Sequence, residues 1–263
     1  MKAQPKTIWI TGASSGIGEA LTYYYAKQGH YVIISARRED ALKKVKEQCE
    51  NSGQVGVLPL DLADTESMHN KVKQALEIFG PIDILVNNAG ISQRSKIMET
   101  ELSVYKTLVD INYIGTLALT KALLPYFIEQ GHGHFAVVTS VMGRFGSMYR
   151  SGYCGSKHAL HGFFDVLRME HEKDGVSVTM ICPGFVNTNV ALNALTGTGA
   201  AQGYNDETIE QGMDPKVLAQ KMAKAIAKKK FEVYIGGFET MGVYVKRFFP
   251  KLLHKMVLRS KVT

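Results

Sequence analysis

The stretch Thr7-Ile8-Trp9-Ile10-Thr11-Gly12-Ala13-Ser14-Ser15-Gly16-Ile17-Gly18-Glu19 decides the fold. Its first half is a short apolar run rich in β-branched residues, the composition of a buried strand. Its second half holds three glycines, and a helical pattern follows at once. Such a turn lets the backbone bend tightly, lets a phosphate approach it, and lets the helix pack close to the strand. The unpaired N–H groups and the dipole at the helix start favour a pyrophosphate. Gly12, Ser14, Ser15, Gly16, Ile17 and Gly18 are therefore candidate phosphate-binding residues. In a chain with 25 glycines this spacing arises by chance about 0.2 times, so the turn is suggestive and needs partners elsewhere.

The same residues also spell Gly12-x-Ser14-x-Gly16, the pattern of a hydrolase nucleophile elbow. An elbow needs a later acid and histidine, and it gives Gly18 no role. His158, His161 and His171 fall on one predicted helix, where packing or solvent explains them. The serine-hydrolase reading is thus a distant alternative.

Outward from the turn, further short apolar runs recur at 31–35, 55–58, 82–86, 135–139, 176–181 and 232–235, after the first at 7–10. Between them lie stretches such as 39–50 and 65–79, with apolar residues three or four apart and charged faces. This alternation predicts an α/β chain: seven strands in a doubly wound parallel sheet, helices on both faces, right-handed connections. No repeat or linker divides it. The reading is one domain over residues 1–239 and a tail over 240–263. The least patterned stretch, 189–212, is long for a plain connection and reads as a substrate loop.

The 263 residues suffice for a sizeable core, and 45% hydrophobic with 21% charged residues excludes a disordered chain. No uninterrupted apolar run reaches the length of a bilayer span, and no signal peptide is expected. Three scattered cysteines, Cys49, Cys154 and Cys182, argue against a disulfide framework or a cysteine-rich zinc site. We expect a reducing, cytoplasmic location, no metal centre, and packing roles for Cys154 and Cys182. The net charge is +7, and six basic residues with no acidic one lie in 240–263 (Lys246, Arg247, Lys251, Lys255, Arg259 and Lys261). The rest is nearly neutral, which speaks against a nucleic-acid surface on the body.

Tyr153-Cys154-Gly155-Ser156-Lys157 sets a phenol and an ammonium one helical turn apart on one face. That spacing is expected about once by chance, and Tyr23 with Lys27 repeats it. Context separates them: Tyr153 lies 13 residues after Ser140, which ends a predicted strand, whereas Tyr23 lies in the helix after the glycine turn.

With these residues in view, the chain resembles the short-chain dehydrogenases/reductases of the single-domain type. The likeness runs from Lys6 to about Gly236. It rests on ordered motifs: the glycine turn, Asp61-Leu62, Asn87-Asn88-Ala89-Gly90, Asn112, Ser140, Tyr153 with Lys157, and Pro183-Gly184 followed by Thr188. The stretches Gly90-Ile91-Ser92-Gln93-Arg94-Ser95 and Gly152-Tyr153-Cys154-Gly155-Ser156-Lys157-His158-Ala159-Leu160 resemble a subgroup of membrane-associated carbonyl, retinoid and steroid reductases. The hydrophobic N-terminal anchor of that subgroup is not seen in this sequence.

The resemblance implies a Rossmann fold and hydride transfer between a nicotinamide and a carbonyl or alcohol carbon of a small, moderately apolar molecule. It implies Tyr153 as general acid or base, Lys157 holding the phenolate and the ribose, Ser140 donating to the substrate oxygen, and Asn112 holding a water beside Lys157. It also implies cofactor contacts at Asn87, Ala89, Gly90, Asp61, Leu62, Pro183, Gly184, Val186 and Thr188, with Asn88 mainly bracing the turn. A capping role is the plainer reading of Asp61. After strand two, where an NADH enzyme usually places an acid, stands Ala36, followed by Arg37 and Arg38. Guanidinium groups there suit a 2′-phosphate, so NADP(H) is the expected cofactor. A cofactor-binding regulator without turnover is the remaining alternative.

Two further expectations concern assembly. The helical stretches 112–129 and 153–173 carry apolar residues on more than one face, including Leu117, Leu119, Leu123, Leu124, Leu160, Phe163, Phe164 and Leu167. They predict a homodimer or homotetramer. In 241–257 paired apolar residues step by four, and Pro250 interrupts them. This predicts two short basic amphipathic helices, suited to a partner subunit, the substrate pocket or an anionic membrane surface.

Overall fold

The structure, a computed structural model, describes residues 4–205 and 207–259. Seven strands form one parallel sheet: β1 (Thr7–Thr11), β2 (Tyr31–Ser35), β3 (Val55–Val57), β4 (Ile84–Asn87), β5 (Gly133–Val138), β6 (Val176–Pro183) and β7 (Glu232–Ile235). Their order is β3-β2-β1-β4-β5-β6-β7. The order reverses between β1 and β4, which opens a crevice at the carboxyl ends of those two strands.

Alternation along β1 shows how both faces are covered. Ile8 and Ile10 point into a core with Leu21, Leu218 and Met222, beneath helices α1 (Gly16–Lys27), α2 (Glu39–Glu47) and later α8 (Pro215–Ala227). Trp9 points the other way, into a core with Leu85, Phe127, Phe135 and Phe164. That face lies under α3 (Met68–Phe79), α5 (Thr116–Glu129) and α6 (Ser151–His171). The Trp9 indole N–H donates to Ser35 Oγ at 2.8 Å, so this fully buried ring leaves no polar atom unmet.

Several boundaries differ from the sequence reading. β5 begins at Gly133 rather than 135, because Gly133 and His134 pair with Val176 and Ser177 despite lacking an apolar signal. β4 starts at Ile84 and reaches Asn87, which pairs with Val137. The helix expected from 112 begins earlier. α4 (Leu102–Val109) runs through a π-helical turn, Asp110–Gly115, into α5. The whole stretch Leu102–Glu129 is long and apolar enough to cross a membrane by length and composition, contrary to the expectation of none. The charges at Lys106, Asp110 and Lys121 hid this in a search for uninterrupted runs. In the fold Leu108, Leu119, Leu123 and Phe127 of this stretch are buried in the protein core.

Beyond β6 the chain forms a loop with α7 (Glu207–Glu210), and beyond β7 it forms α9 (Met241–Phe248) and α10 (Pro250–Arg259). The two tail helices break at Pro250 as the pattern predicts; Lys261 lies outside the described residues. Leu253 of α10 is buried with Phe145, Met142 and Cys154 of the same chain, next to Tyr153. The opposite side exposes Tyr244, Phe248, Phe249, Leu252 and Leu258.

Candidate active site

The glycine turn meets the carboxyl end of β4 back to back. Thr11 Oγ1 accepts from the backbone N–H of Asn88 (3.0 Å) and Ala89 (3.1 Å). Asn88 Nδ2 returns a bond to Thr11 O (2.9 Å), so Asn88 braces the turn as expected. Gly12 and Gly16 have φ of +66° and +60°. A Cβ on Gly12 would sit 2.7 Å from Ala89 Cα, which only glycine avoids at that φ. Gly18 takes the packing role read for the turn. It faces the Gly12 carbonyl and Asn88 and does not line the cleft; its contribution is close helix packing. Asn87 departs from its expected role: its side chain is buried and donates to Thr120 Oγ1 at 3.0 Å, away from the cleft.

The cleft above the turn has a volume of about 650 Å³. Gly12, Ser14, Ser15, Gly16, Ile17, Ala89 and Gly90 line its centre. Arg37 and Arg38 from the end of β2, and Asp61 and Leu62 after β3, line one end. Asp61 Oδ1 accepts from Ala63 N (3.0 Å), so it also performs the local capping role. Thr188, Asn193, Leu195 and Ala201 of the substrate loop form the other wall. The sequence named Thr188 and identified the loop 189–212 as a unit, without singling out the other three positions. Its seating has a cause: Leu195 exchanges backbone bonds with Ser92 (2.9 Å) and Arg94 (2.8 Å).

A second cavity, about 130 Å³, shares Ile17, Asn88, Gly90, Ile91, Ser92, Thr188 and Val190 with the cleft. Ser140, Tyr153, Lys157, Pro183, Gly184 and Val186 line it, bringing the expected reacting groups together. Tyr153 and Lys157 come from the first two turns of α6 and Ser140 from the end of β5. Arg94, Arg150, Met142, Phe185 and Ile209 complete its wall, and individual sequence signals for these were lacking. Tyr23 and Lys27 line neither cavity. Tyr23 bonds to Glu19 (2.8 Å) and Lys27 to Glu50 (2.7 Å). Among the described residues no histidine lines either cavity, so Ser14 has no base beside it.

Lys157 is buried, its Nζ donating to Val138 O at 2.9 Å and lying 5.9 Å from the centre of the Tyr153 ring. Burial pulls its ammonium down to about 8. Burial also raises the Tyr153 phenol, opposed by a hydrogen bond with Ser140 and by the charges of Arg94 and Arg150. Asn112 sits in the π turn, lines neither cavity, and is spent on structure. Its Oδ1 accepts from Ile91 N (2.8 Å), and its Nδ2 donates to Ile91 O (2.9 Å) and Ser156 Oγ (3.0 Å). A Cβ on Gly90 would lie 3.1 Å from Asn112 Oδ1 and 3.4 Å from Lys157 Nζ, so Asn112 approaches the lysine across this glycine.

With this geometry in place, comparison with known proteins decides the family. A family model described as short chain dehydrogenase matches residues 6–198. The chain belongs to the short-chain dehydrogenase/reductase family. A human relative, dehydrogenase/reductase SDR family member 7, is 48% identical over 234 residues, covering 87% of this chain and 69% of its own. An Anopheles gambiae SDR family protein 7-like relative is 40% identical over 262 residues, covering 97% and 83%. Among solved structures, a Streptomyces avermitilis short-chain dehydrogenase has a TM-score of 0.81 at 27% identity, covering 97% and 98%. An alcohol dehydrogenase from Thermococcus sibiricus complexed with 5-hydroxy-NADP has a TM-score of 0.76 at 26% identity, covering 90% and 98%. As a short-chain dehydrogenase/reductase, the chain has the oxidoreductase fold of that family and neighbours that hold nicotinamide dinucleotides.

Proposed function

We propose that this short-chain dehydrogenase/reductase transfers a hydride between NADP(H) and a carbonyl or secondary alcohol of a small, moderately apolar substrate. The observation that carries the reading is the shared wall. The cavity holding Tyr153, Lys157 and Ser140 opens onto the cleft lined by the glycine turn. The cleft suits a dinucleotide: Gly12 and Gly16 open the turn, Ser14, Ser15 and the start of α1 lie at its centre, and Arg37 and Arg38 stand at one end. Gly12, Ser14, Ser15, Gly16 and Ile17 would hold the pyrophosphate, Asp61 and Leu62 the adenine, and Pro183, Gly184, Val186 and Thr188 the nicotinamide side. The bound nicotinamide supplies or accepts the hydride.

The protein's own groups handle the proton. Tyr153 gives its hydroxyl proton to the substrate oxygen during reduction and takes it back during oxidation. Lys157, as ammonium, favours the phenolate left behind. Ser140 donates to the same oxygen as negative charge grows. Burial moves the two ionising groups apart, lowering Lys157 to about 8 and raising Tyr153, which keeps the phenol protonated as the acid that reduction needs. Apolar Met142, Phe185 and Ile209 in the cavity wall fit a moderately apolar substrate. The regulator alternative lacks support, because Ser140, Tyr153 and Lys157 line one cavity together and Asn112 lies next to Lys157 across Gly90. Purified protein with NADPH or NADH, followed at 340 nm over aldehydes, ketones and secondary alcohols, tests the reading; no oxidation or reduction of either cofactor opposes it.

We further propose a homodimer or homotetramer. The structure revises which residues serve it. Leu119, Leu123, Leu160, Phe164 and Leu167 are consumed by the chain's own core. Ile114, Ile128, Val166 and Met169 remain exposed on the same helices and form the face that a partner would cover. The tail's exposed aromatic side is proposed to touch an anionic membrane surface, and three buried free thiols suit a reducing, cytoplasmic compartment.

A further inference from the structure

Behind the reaction cavity, α6, β6 and β7 bring three metal-ligand types together from distant segments. Cys182 Sγ lies 3.9 Å from His161 Nε2 and 3.5 Å from Glu232 Oε1, and all three atoms lie within 4.8 Å of one another. His161 and Cys182 are buried, while Glu232 is partly exposed. The His161 ring has no strong hydrogen bond here. Its Nδ1 is buried without a partner, and its Nε2 meets only the long contact with sulfur. Nε2, the nitrogen that meets Cys182, has only this long sulfur contact and can take a ligand, while the unmet Nδ1 lies on the other side of the ring. Gly143 keeps the ring edge clear, since a Cβ there would press on Nε2 at 3.0 Å.

We propose that His161, Cys182 and Glu232 form a binding site for a thiophilic divalent cation, Zn²⁺ being the case that fits. Ordinary bond lengths of about 2.3 Å to sulfur and about 2.0 Å to nitrogen or oxygen place tetrahedral donors roughly 3.3–3.7 Å apart. The sulfur–carboxylate separation already matches, the sulfur–imidazole pair must close by a few tenths of an ångström, and the imidazole–carboxylate pair, within 4.8 Å, closes by up to about 1.5 Å through rotation of the partly exposed Glu232 side chain. A water completes four ligands, and the Tyr234 hydroxyl, which donates to Glu232 Oε1, must turn away from that oxygen on loading. On loading, the Cys182 S–H bond breaks, a sulfur–zinc bond forms, and the proton leaves to solvent; no electron moves. Thiolate and carboxylate then balance the added charge. Arg144 clasps Glu232 through Nε to Oε1 (2.8 Å) and Nη2 to Oε2. It must release Oε1 and keep Oε2. That adjustment is available because Arg144 and Glu232 side chains are 31% and 24% exposed, which also gives the ion its entry. The sequence expected no metal because its cysteines stand alone; a site assembled from 161, 182 and 232 has no spacing pattern to read.

The consequence is regulation. Cys182 directly precedes Pro183 and Gly184, and His161 follows Lys157 by one turn. Zinc would tie the end of β6 to α6 and slow turnover. The test uses full-length, reduced, chelator-treated protein. Zn²⁺ is titrated by calorimetry in two buffers of different ionisation enthalpy, and Co²⁺ by near-ultraviolet absorbance. The expected result is one ion per chain, about one proton released, and a thiolate-to-cobalt absorption band. Cys182→Ser and His161→Gln should each weaken binding about 100-fold or more. Cys49→Ser, and His171→Gln at the surface His171–Asp174 pair, should leave it unchanged. No binding to the unmodified chain, or binding that survives Cys182→Ser with the absorption band intact, overturns the proposal. Near-ultraviolet dichroism of the near-isosteric Cys182→Ser separates loss of a ligand from loss of the fold.

Discussion

Arg37 and Arg38 show how one residue can set cofactor choice. They follow Ala36 at the end of β2, the position where an acid would repel a 2′-phosphate. A guanidinium that clasps a 2′-phosphate contributes on the order of 1.4 kcal/mol or more, a factor of about ten in preference. Arg37→Ala should therefore lower the ratio of kcat/KM for NADPH over NADH by about tenfold. An unchanged ratio would remove Arg37 from the cofactor site. His134 sets a different limit. It is buried in β5 with Nε2 2.8 Å from Thr179 Oγ1, and burial lowers its pKa to about 4. The unfolded chain takes up this proton near pH 6.5, the folded chain only near 4. The neutral ring's contribution is thus complete above 6.5 and shrinks as pH falls, by about 1.4 kcal/mol per pH unit until 4. His134→Gln removes one titrating group, so its stability between pH 6.5 and 4 should decline less steeply in denaturant titrations. Parallel slopes for the two proteins would contradict this.

Elements explain what single residues could not. The tail helices face two ways: Leu253 is buried beside Phe145 near the active site, and Phe248, Phe249 and Leu252 are exposed among Lys246, Arg247, Lys251 and Lys255. Replacing Phe248, Phe249 and Leu252 together by serine should abolish flotation with anionic vesicles and leave the melting temperature nearly unchanged, because Leu253 stays. Equal flotation of both proteins, or none by the unmodified chain, excludes membrane contact by this face. The four-residue step and Pro250 made these helices legible in the sequence. The π turn at Asp110–Gly115 was not legible, because an extra residue per turn leaves no apolar signature. Nor was the cap of α6. Its Gly152 N–H is held by Gln93 Oε1 (2.7 Å), and Gln93 is fully buried yet distant in sequence. Local pattern reports which face is apolar; it does not report which remote polar group closes a helix end.

At the scale of the molecule, alternation and handedness give a doubly wound parallel sheet and the glycine turn marks β1 as a strand beside the crevice, whereas the order β3-β2-β1-β4-β5-β6-β7 is seen only in the fold. The sheet and its crevice strand were readable from residues 7–19 and the spacing of the later runs. The motif places Asn87 at the crevice, and the end of β4 turns its side chain inward to Thr120, an orientation the motif does not report. Assembly was legible only as an excess of apolar helix surface. Light scattering at micromolar concentration should give a mass of two or four chains of 29.0 kDa, and a single-chain mass would contradict the proposed interface.

The central claim is that Tyr153, held beside Lys157 and Ser140 at the wall between cavity and cleft, carries the proton in hydride transfer. Two chemically alike tyrosines make the test direct, since Tyr23 and Lys27 repeat the spacing away from both cavities. Turnover at 340 nm and NADPH affinity should be measured for Tyr153→Phe and Tyr23→Phe. We predict that Tyr153→Phe loses at least about a thousandfold in kcat, the scale of a lost general acid, with NADPH affinity nearly intact, and that Tyr23→Phe stays close to the unmodified enzyme. A Tyr153→Phe protein that retains most of its turnover would contradict the account.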